Sequence, residues 1–551
     1  MVVSANRLAS EAGAEMLRAG GNAVDAAVAT GYALAVVDPC CGNIGGGGFM
    51  TLHLADGRDV FVNFREQAPA AATADMYLDP AGAVQPGASL FGWRAVGVPG
   101  TVLGLDTALR EYGTMPRARV MAPAIRLARE GFVVGVGNAH LIARLAGHLR
   151  ADPQAARVFF HPNGAPLAAS DHLVQPALAD TLAAIAARGP DAFYRGAIPE
   201  AVAAAAHQVG GIIAAADFAH YTVTESPPLH CAYHGWQFLS AAPPSSGGVT
   251  LCEILGVLDG YDLHAMGFNS AQTVHVMVEA MRQAFLDRSA DLGDPAFVRN
   301  PLARLLSPHY AAALRAAIGP RATPSRSLSA DTPPHEQAET THFSVLDAAG
   351  NAAAVTYTLN GAFGAGVMAP AGGFLLNDEM DDFTVRPGTP NMFGLVQGAA
   401  NAIAPGKRPL SSMAPTIVLR DGQVALVLGS PGGARIITIV LETALDVIAF
   451  GLAPQEAVDA PRFHHQWLPD EVFVEPRALS PDTETVLRGM GYAIDTQTPW
   501  GAAELIAVGS TLSGSNPPSS GNDAAISALV HAGRIYGASD PRRPDGAAIG
   551  E

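Results

Sequence analysis

The chain has 551 residues, 49% of them apolar and 15% charged, with 59 glycines, 41 prolines and a formal net charge of -17. That length allows several conventional domains or one large layered α/β body, since single cores stop growing at roughly 250 to 300 residues, and the apolar share excludes a disordered chain. The acidic balance argues against nucleic acid as a partner, because binding to phosphate backbones is driven by Lys and Arg, and Lys407 is the only lysine.

Helical periodicity opens the chain. Ser4 is placed to cap a helix through Leu17, Gly20 and Gly21 end it, and Asn22 is placed to cap a second helix through about Val37. Gly45 to Gly48 follow, read as a loop that a ligand approaches or, at least as readily, as a tight link from helix to strand. From Phe49 to Glu66 two alternating runs meet at Ala55 to Arg58, a hairpin that ends on Arg65 and Glu66. Ala-rich amphipathic runs, such as Leu178 to Ala187, dominate from about Pro99 to Pro333 and predict a helical scaffold. Ala322 to Glu339, rich in Pro, Ser, Thr and charge, reads as an exposed and mobile connection that tolerates a cut.

Beyond it the texture turns to strands. Thr341 to Asp347 and Ala352 to Leu359 alternate about a turn signal at Ala348 to Asn351, which predicts a hairpin. A three-residue loop centred on Ala349 sets Thr340 opposite Thr358, with side chains about 5 Å apart on one face; a two-residue loop shifts that register. The run ALVLGSPGGARIITIVLETALDVIAFG is a strand-to-helix unit whose junction carries Gly432 and Gly433. Gly509 to Asp523 reads as a flexible surface loop.

Cys40, Cys41, Cys231 and Cys252 show neither CxxC spacing nor a His cluster nearby, so neither a zinc site nor a dense disulfide framework is predicted. No run approaches the roughly 20 apolar residues of a membrane span, and the first residues hold no charged stretch followed by an apolar signal segment. No transmembrane segment is expected, and no export address is legible. His464 and His465 adjoin, and adjacent side chains point apart on a helix or strand, so structural roles are expected rather than a joint metal site.

Taken alone, hydroxyls on a strand face mean a half-polar sheet surface, a glycine pair means a turn, and the acidic LLNDEMDDF means a solvated turn. Their company changes the reading. ETTHFSV, GNAAAVTYTLN, LLNDEMDDF, KRPLSSMAPT, GSPGG and APRFHHQWLPD follow in order, preceded by NRLASEAGAEMLRAGGNAVDAAVA, GNIGGGGFM and NFRE and closed by YGASDPRRPDG. Together they resemble the gamma-glutamyltransferase family of N-terminal nucleophile hydrolases, almost from end to end.

The resemblance implies a mixed α/β fold, a four-layer αββα sandwich. It implies a precursor cut between Glu339 and Thr340, giving a large subunit of residues 1–339 and a small subunit of residues 340–551 that together form one body. Thr340 is then the catalytic nucleophile with Thr358 beside it, and Gly432 and Gly433 supply backbone N–H groups to an oxyanion. Arg65 with Ser411 and Ser412 holds an α-carboxylate, for which a guanidinium fork is the right shape. Asn360, Glu379 and Asp382 surround an α-ammonium. Pro387 to Gly406 match a lid whose gating aromatic is often Tyr; here it is Phe393, so a gate hydrogen bond to Asn360 is lost. No metal or organic cofactor is implied. The implied substrates are glutathione and other γ-glutamyl compounds, with water, amino acids or peptides as acceptors. An exported location is expected from the resemblance alone, with an upstream signal missing. The alternatives are a cephalosporin or glutaryl amide acylase, whose substrate lacks the ammonium, and an uncleaved binding protein on the same scaffold.

Overall fold

The computed structural model describes residues 1–325, 338–513, 531 and 533–550. The expected connection from Ala322 and the expected loop ending at Asp523 lie largely outside them. Ala322 to Ser325 carry no helix or strand, as expected of a connection, whereas the other described ends lie in regular structure. Ala338 and Glu339 begin a strand, because the ladder to the next strand extends to Ala338 paired with Gly361. Gly509–Ser513 form a short helix, anchored by Leu512 in the core.

The first helix runs Arg7–Arg18, and its cap is Asn6, whose side chain accepts from the Leu8 N–H. Ser4, the expected cap, sits in the strand Val2–Ser4, which pairs with strands on both sides. Sheet pairing of that backbone outweighs the local capping preference. Asn22 does cap the second helix, Ala23–Val37, in a reciprocal box with Asp25. Every residue of that helix is buried, and apart from the capping Asp25 and Thr30 it is apolar on every face, as a helix inside the core must be.

Two antiparallel sheets form the centre. The first runs from edge to edge as Ala547–Ile549, Val2–Ser4, Ala338–Leu346, Ala352–Gly361, Gly47–His53, Asp59–Phe64 and Thr224–Ser226. The second runs as Ile535–Ser539, Glu504–Val508, Gln423–Gly429, Thr416–Arg420, Trp236–Ser240 and Leu229–Tyr233. Val3, Leu239, Ala352, Ala354, Ile417 and Ile506 pack together between them, each large aliphatic contributing roughly 1.5–3 kcal/mol by burial. Helices Arg7–Arg18, Ala23–Val37 and Thr101–Tyr112 cover the first sheet, and Gly247–Leu258, Ala271–Asp291 and Ile436–Ile448 cover the second. The architecture is the four-layer αββα sandwich.

The scaffold after Pro99 is helical, yet it also contributes sheet edges: Thr224–Ser226 to the first sheet, and Leu229–Tyr233 with Trp236–Ser240 to the second. Those runs are short, and on the exposed edge only alternate residues of Leu229–Tyr233 are even partly covered. A disulfide joins Cys231 of that strand to Cys252 of the helix Gly247–Leu258, and Cys40 is bonded to Cys41. Sequence spacing pointed to neither pairing. Among the described residues no helix is long and apolar enough to cross a membrane.

Candidate active site

The hairpin at the centre of the first sheet closes through Ala348, Ala349 and Gly350. Asp347 and Asn351 pair across it, and the Asp347 carboxylate accepts from the Ala349 and Asn351 N–H groups. Gly350 has φ 91°, the left-handed conformation such a loop needs. This is the three-residue loop centred on Ala349, and it places Thr340 opposite Thr358 in the ladder. Their hydroxyl oxygens are 3.2 Å apart and buried. Glu339 precedes Thr340 in the same strand.

Alternation carries this polar face inward. His342 lies across from Thr356, with Nδ1 2.8 Å from the hydroxyl, and its Nε2 is 3.1 Å from Ser344 Oγ, which in turn donates to the Glu504 carbonyl of the second sheet. Burial holds the His342 imidazole neutral, with its pKa pushed down to about 3. His342 was not singled out in the sequence. The signal was its period-two spacing from Thr340.

After Thr358 the ladder bulges. Asn360 adopts φ 78°, its N–H donates to Thr358 Oγ1, and its side-chain amide donates to the Asp378 carbonyl at 3.1 Å. A carboxylate oxygen of Asp378 accepts from the Gly361 N–H, so this acid pins the bulge. The acidic stretch is therefore buried, not solvated. Its turn, Glu379–Asp382, is a 3-10 helix. Three-residue spacing puts Glu379 and Asp382 on the same side, and both pair with the Arg65 guanidinium. Asp381 faces the other way, accepting from Ser89 and from the Met392 N–H.

Arg65 is fully buried, its Nε donating to the Pro409 carbonyl. Burial opposes its charge, but Glu379, Asp382 and Glu66 together raise its pKa above the ordinary value. One guanidinium serves three carboxylates, and the excess shows. Desolvation raises Glu66 to about 7 and Glu379 well above its usual range, despite the attraction of Arg65. A pocket so arranged holds a surplus of acidic groups that an incoming ammonium would stabilise.

Ser411 and Ser412 reach the same place from the segment before the strand Thr416–Arg420. The Ser411 hydroxyl accepts from the Met413 N–H, and the Ser412 hydroxyl accepts from Arg288. Gly432 and Gly433 have φ 139° and 53° at the start of the turn into helix Ile436–Ile448. Backbone N–H groups at such a start have no intrahelical partner, and the missing Cβ atoms leave the approach open. Phe393 is buried, held by its carbonyl to Gln466, and the amide of Asn360 meets the Met392 sulfur at 3.5 Å.

These groups converge. Thr340, Thr358, Asn360, Arg65, Glu379, Asp382, Ser411, Ser412, Phe393 and Gly433 line one cavity, with Met413 and Ile436. Gly432 stands one residue outside that lining. His464 and His465 are not in it: His464 bonds Thr438 and Gln466, His465 lies by Asp470, and burial keeps both below the ordinary histidine range. Gly45 and Gly46 pack against the backbone of Leu375 and Thr358, the tight link rather than a ligand loop.

A family model described as gamma-glutamyltranspeptidase matches residues 9–550. The glutathione hydrolase proenzyme of Pseudomonas sp. (strain A14) is 51% identical over 551 residues, covering 100% of this chain and 94% of its own. The glutathione hydrolase proenzyme of Escherichia coli (strain K12) is 45% identical, covering 99% and 90%. A cephalosporin acylase from Bacillus halodurans superposes with a TM-score of 0.83 at 26% identity, covering 100% of this chain and 96% of its own. With the family model matched over nearly its whole length, the chain belongs to the gamma-glutamyltranspeptidase family.

Proposed function

We propose that this protein is a self-processing γ-glutamyltransferase and glutathione hydrolase, with Thr340 as nucleophile. In the precursor the Thr340 hydroxyl attacks the Glu339 carbonyl, the peptide C–N bond breaks as an ester forms, and water opens that ester. Glu339 is left as a carboxyl end and Thr340 with a free α-amine. A threonine hydroxyl is a weak nucleophile, and an amine with a reference pKa near 8 on the same residue is a suitable base.

In turnover the amine takes the hydroxyl proton as Oγ1 bonds to the γ-carbonyl carbon. The oxyanion that forms is met by the N–H groups of Gly432 and Gly433. Collapse breaks the amide C–N bond, the leaving amine takes the proton, and a γ-glutamyl ester remains on Thr340. Water or an acceptor amine then attacks the ester, giving glutamate or a new γ-glutamyl amide and restoring the hydroxyl. Arg65, Ser411 and Ser412 hold the donor's α-carboxylate, while Asn360, Glu379 and Asp382 hold its α-ammonium. Thr358 keeps the nucleophile aligned.

The observation that carries the reading is the Thr340–Thr358 hydroxyl pair at 3.2 Å in a cavity it shares with Arg65, Glu379 and Asp382. A nucleophile beside a receptor for a zwitterion suits a γ-glutamyl donor better than a glutaryl one. Release of 4-nitroaniline from the γ-glutamyl anilide is compared with release from the glutaryl anilide. The expected preference is for γ-glutamyl by at least about tenfold, the scale of one charge-assisted hydrogen bond. Preference for the glutaryl compound sinks the reading in favour of an amide acylase.

A further inference from the structure

Arg288, on the helix Ala271–Asp291, is 1% exposed and makes no ion pair among the described residues. An arginine buried this deeply is ordinarily paired with a carboxylate, because desolvating a lone cation is expensive. Here all three donating nitrogens go to neutral oxygens: Nε to Ser246 Oγ at 2.8 Å, Nη1 to Gln397 Oε1 at 3.3 Å and Nη2 to Ser412 Oγ at 3.1 Å. Burial pulls its pKa down to about 10, partly offset by the field of Asp382, so the group remains a cation at neutral pH.

Each of its partners leads to the cavity. Ser246 donates to the Ser411 carbonyl, which fixes the segment carrying both serines. Gln397 donates to the Asp382 carbonyl from the middle of the lid. Ser412 lines the cavity itself, together with Arg65. A serine hydroxyl that accepts from a cation has its own proton left to give, and that proton is the one a bound carboxylate needs.

We propose that Arg288 is a positioning residue for the donor's α-carboxylate, orienting the Ser412 hydroxyl as a donor toward the cavity and placing a second positive charge behind it. The inference rests on the γ-glutamyl reading. The absent carboxylate partner is supplied by the substrate, through one intervening hydroxyl.

The test is a double-mutant cycle of Arg288→Gln and Ser412→Ala, read as KM and kcat for the γ-glutamyl anilide. Precursor cleavage and thermal melting of each variant report folding. Arg288→Gln is expected to raise KM about tenfold with kcat within about threefold, Ser412→Ala to do likewise, and the double variant to be no more than about twofold worse than the poorer single, as for residues acting as a unit. Arg288→Lys, which keeps the charge and loses the fork, is expected to fall between wild type and Arg288→Gln. Should Arg288→Gln fail to fold, the cycle runs with Arg288→Lys. Losses that multiply, a fall in kcat at unchanged KM, or an unaffected Ser412→Ala overturns the inference. If instead the wild-type protein releases no aniline from the γ-glutamyl substrate, the functional reading itself has failed.

Discussion

At the scale of single residues, the site is organised by which acids and bases are denied water. LLNDEMDDF looks like one acidic run, yet each carboxylate has a separate duty: Asp378 pins the bulge after Thr358, Glu379 and Asp382 pair with Arg65, and Asp381 receives the lid through Met392. The buried histidines make a testable contrast. His342 and His465 titrate near 3 and 4, against an ordinary 6.5, because burial disfavours their charged forms. Their folded pKa values lie below the unfolded ones, so the unfolded chain binds more protons between the two. Their stabilisation is complete above about pH 6.5 and is lost as pH falls, with a slope of about 1.4 kcal/mol per pH unit for each histidine. Thermal melts from pH 7.5 to 4.5 are expected to show Tm falling on acidification, and His342→Gln to flatten that dependence. An unchanged slope in the variant assigns the acid sensitivity elsewhere.

At the scale of elements, the hairpin of Thr340 and Thr358 was legible because period-two alternation and a turn signal jointly set the register. The lid was legible only as a segment. That its Phe393 ring would be buried in the cavity lining, and that a methionine sulfur would approach Asn360, depended on neighbours distant in the chain. Phe393→Tyr restores a hydroxyl at the gate. It is expected to lower KM for the γ-glutamyl donor about two- to fivefold, the worth of one neutral hydrogen bond near 1 kcal/mol. Steady-state kinetics with and without a dipeptide acceptor measures this together with the partition between hydrolysis and transfer. A higher KM places the hydroxyl in a clash instead. The opening strand was misread for the opposite reason, since Ser4 has a capping residue's chemistry and lost that role to sheet pairing with Ala547 and Phe343.

At the scale of the whole molecule, the proposed cut at Glu339–Thr340 falls within an interior strand. Val2–Ser4 lies on one side of it and Ala352–Gly361 on the other, and residues before the cut also supply the hairpin at one edge of the second sheet. The two products share both sheets and the core between them, so neither has a separate hydrophobic body. Purified protein is expected to give two bands on a denaturing gel, meeting at Glu339/Thr340, and one native-sized peak by gel filtration. Thr340→Ala is expected to remain a single band without anilide turnover. Cleavage at that bond in the variant would assign the nucleophile to another group.

Local order is what the residues spell out on their own: strand alternation, the hairpin loop, the Asn22 cap, the glycine pair before a helix, and an ordered set of motifs that names a family. These follow from interactions between residues a few positions apart. Folding set which acids meet Arg65, that Glu66 joins the same buried cluster, and that Arg288 reaches Ser412 without a carboxylate of its own. Arg65 meets Glu379 and Asp382 more than 300 positions away and Arg288 meets Ser412 124 positions away, separations that no local spacing rule encodes. They arise when two sheets and their covering helices exclude water, which leaves each buried charge dependent on the partners the fold delivers.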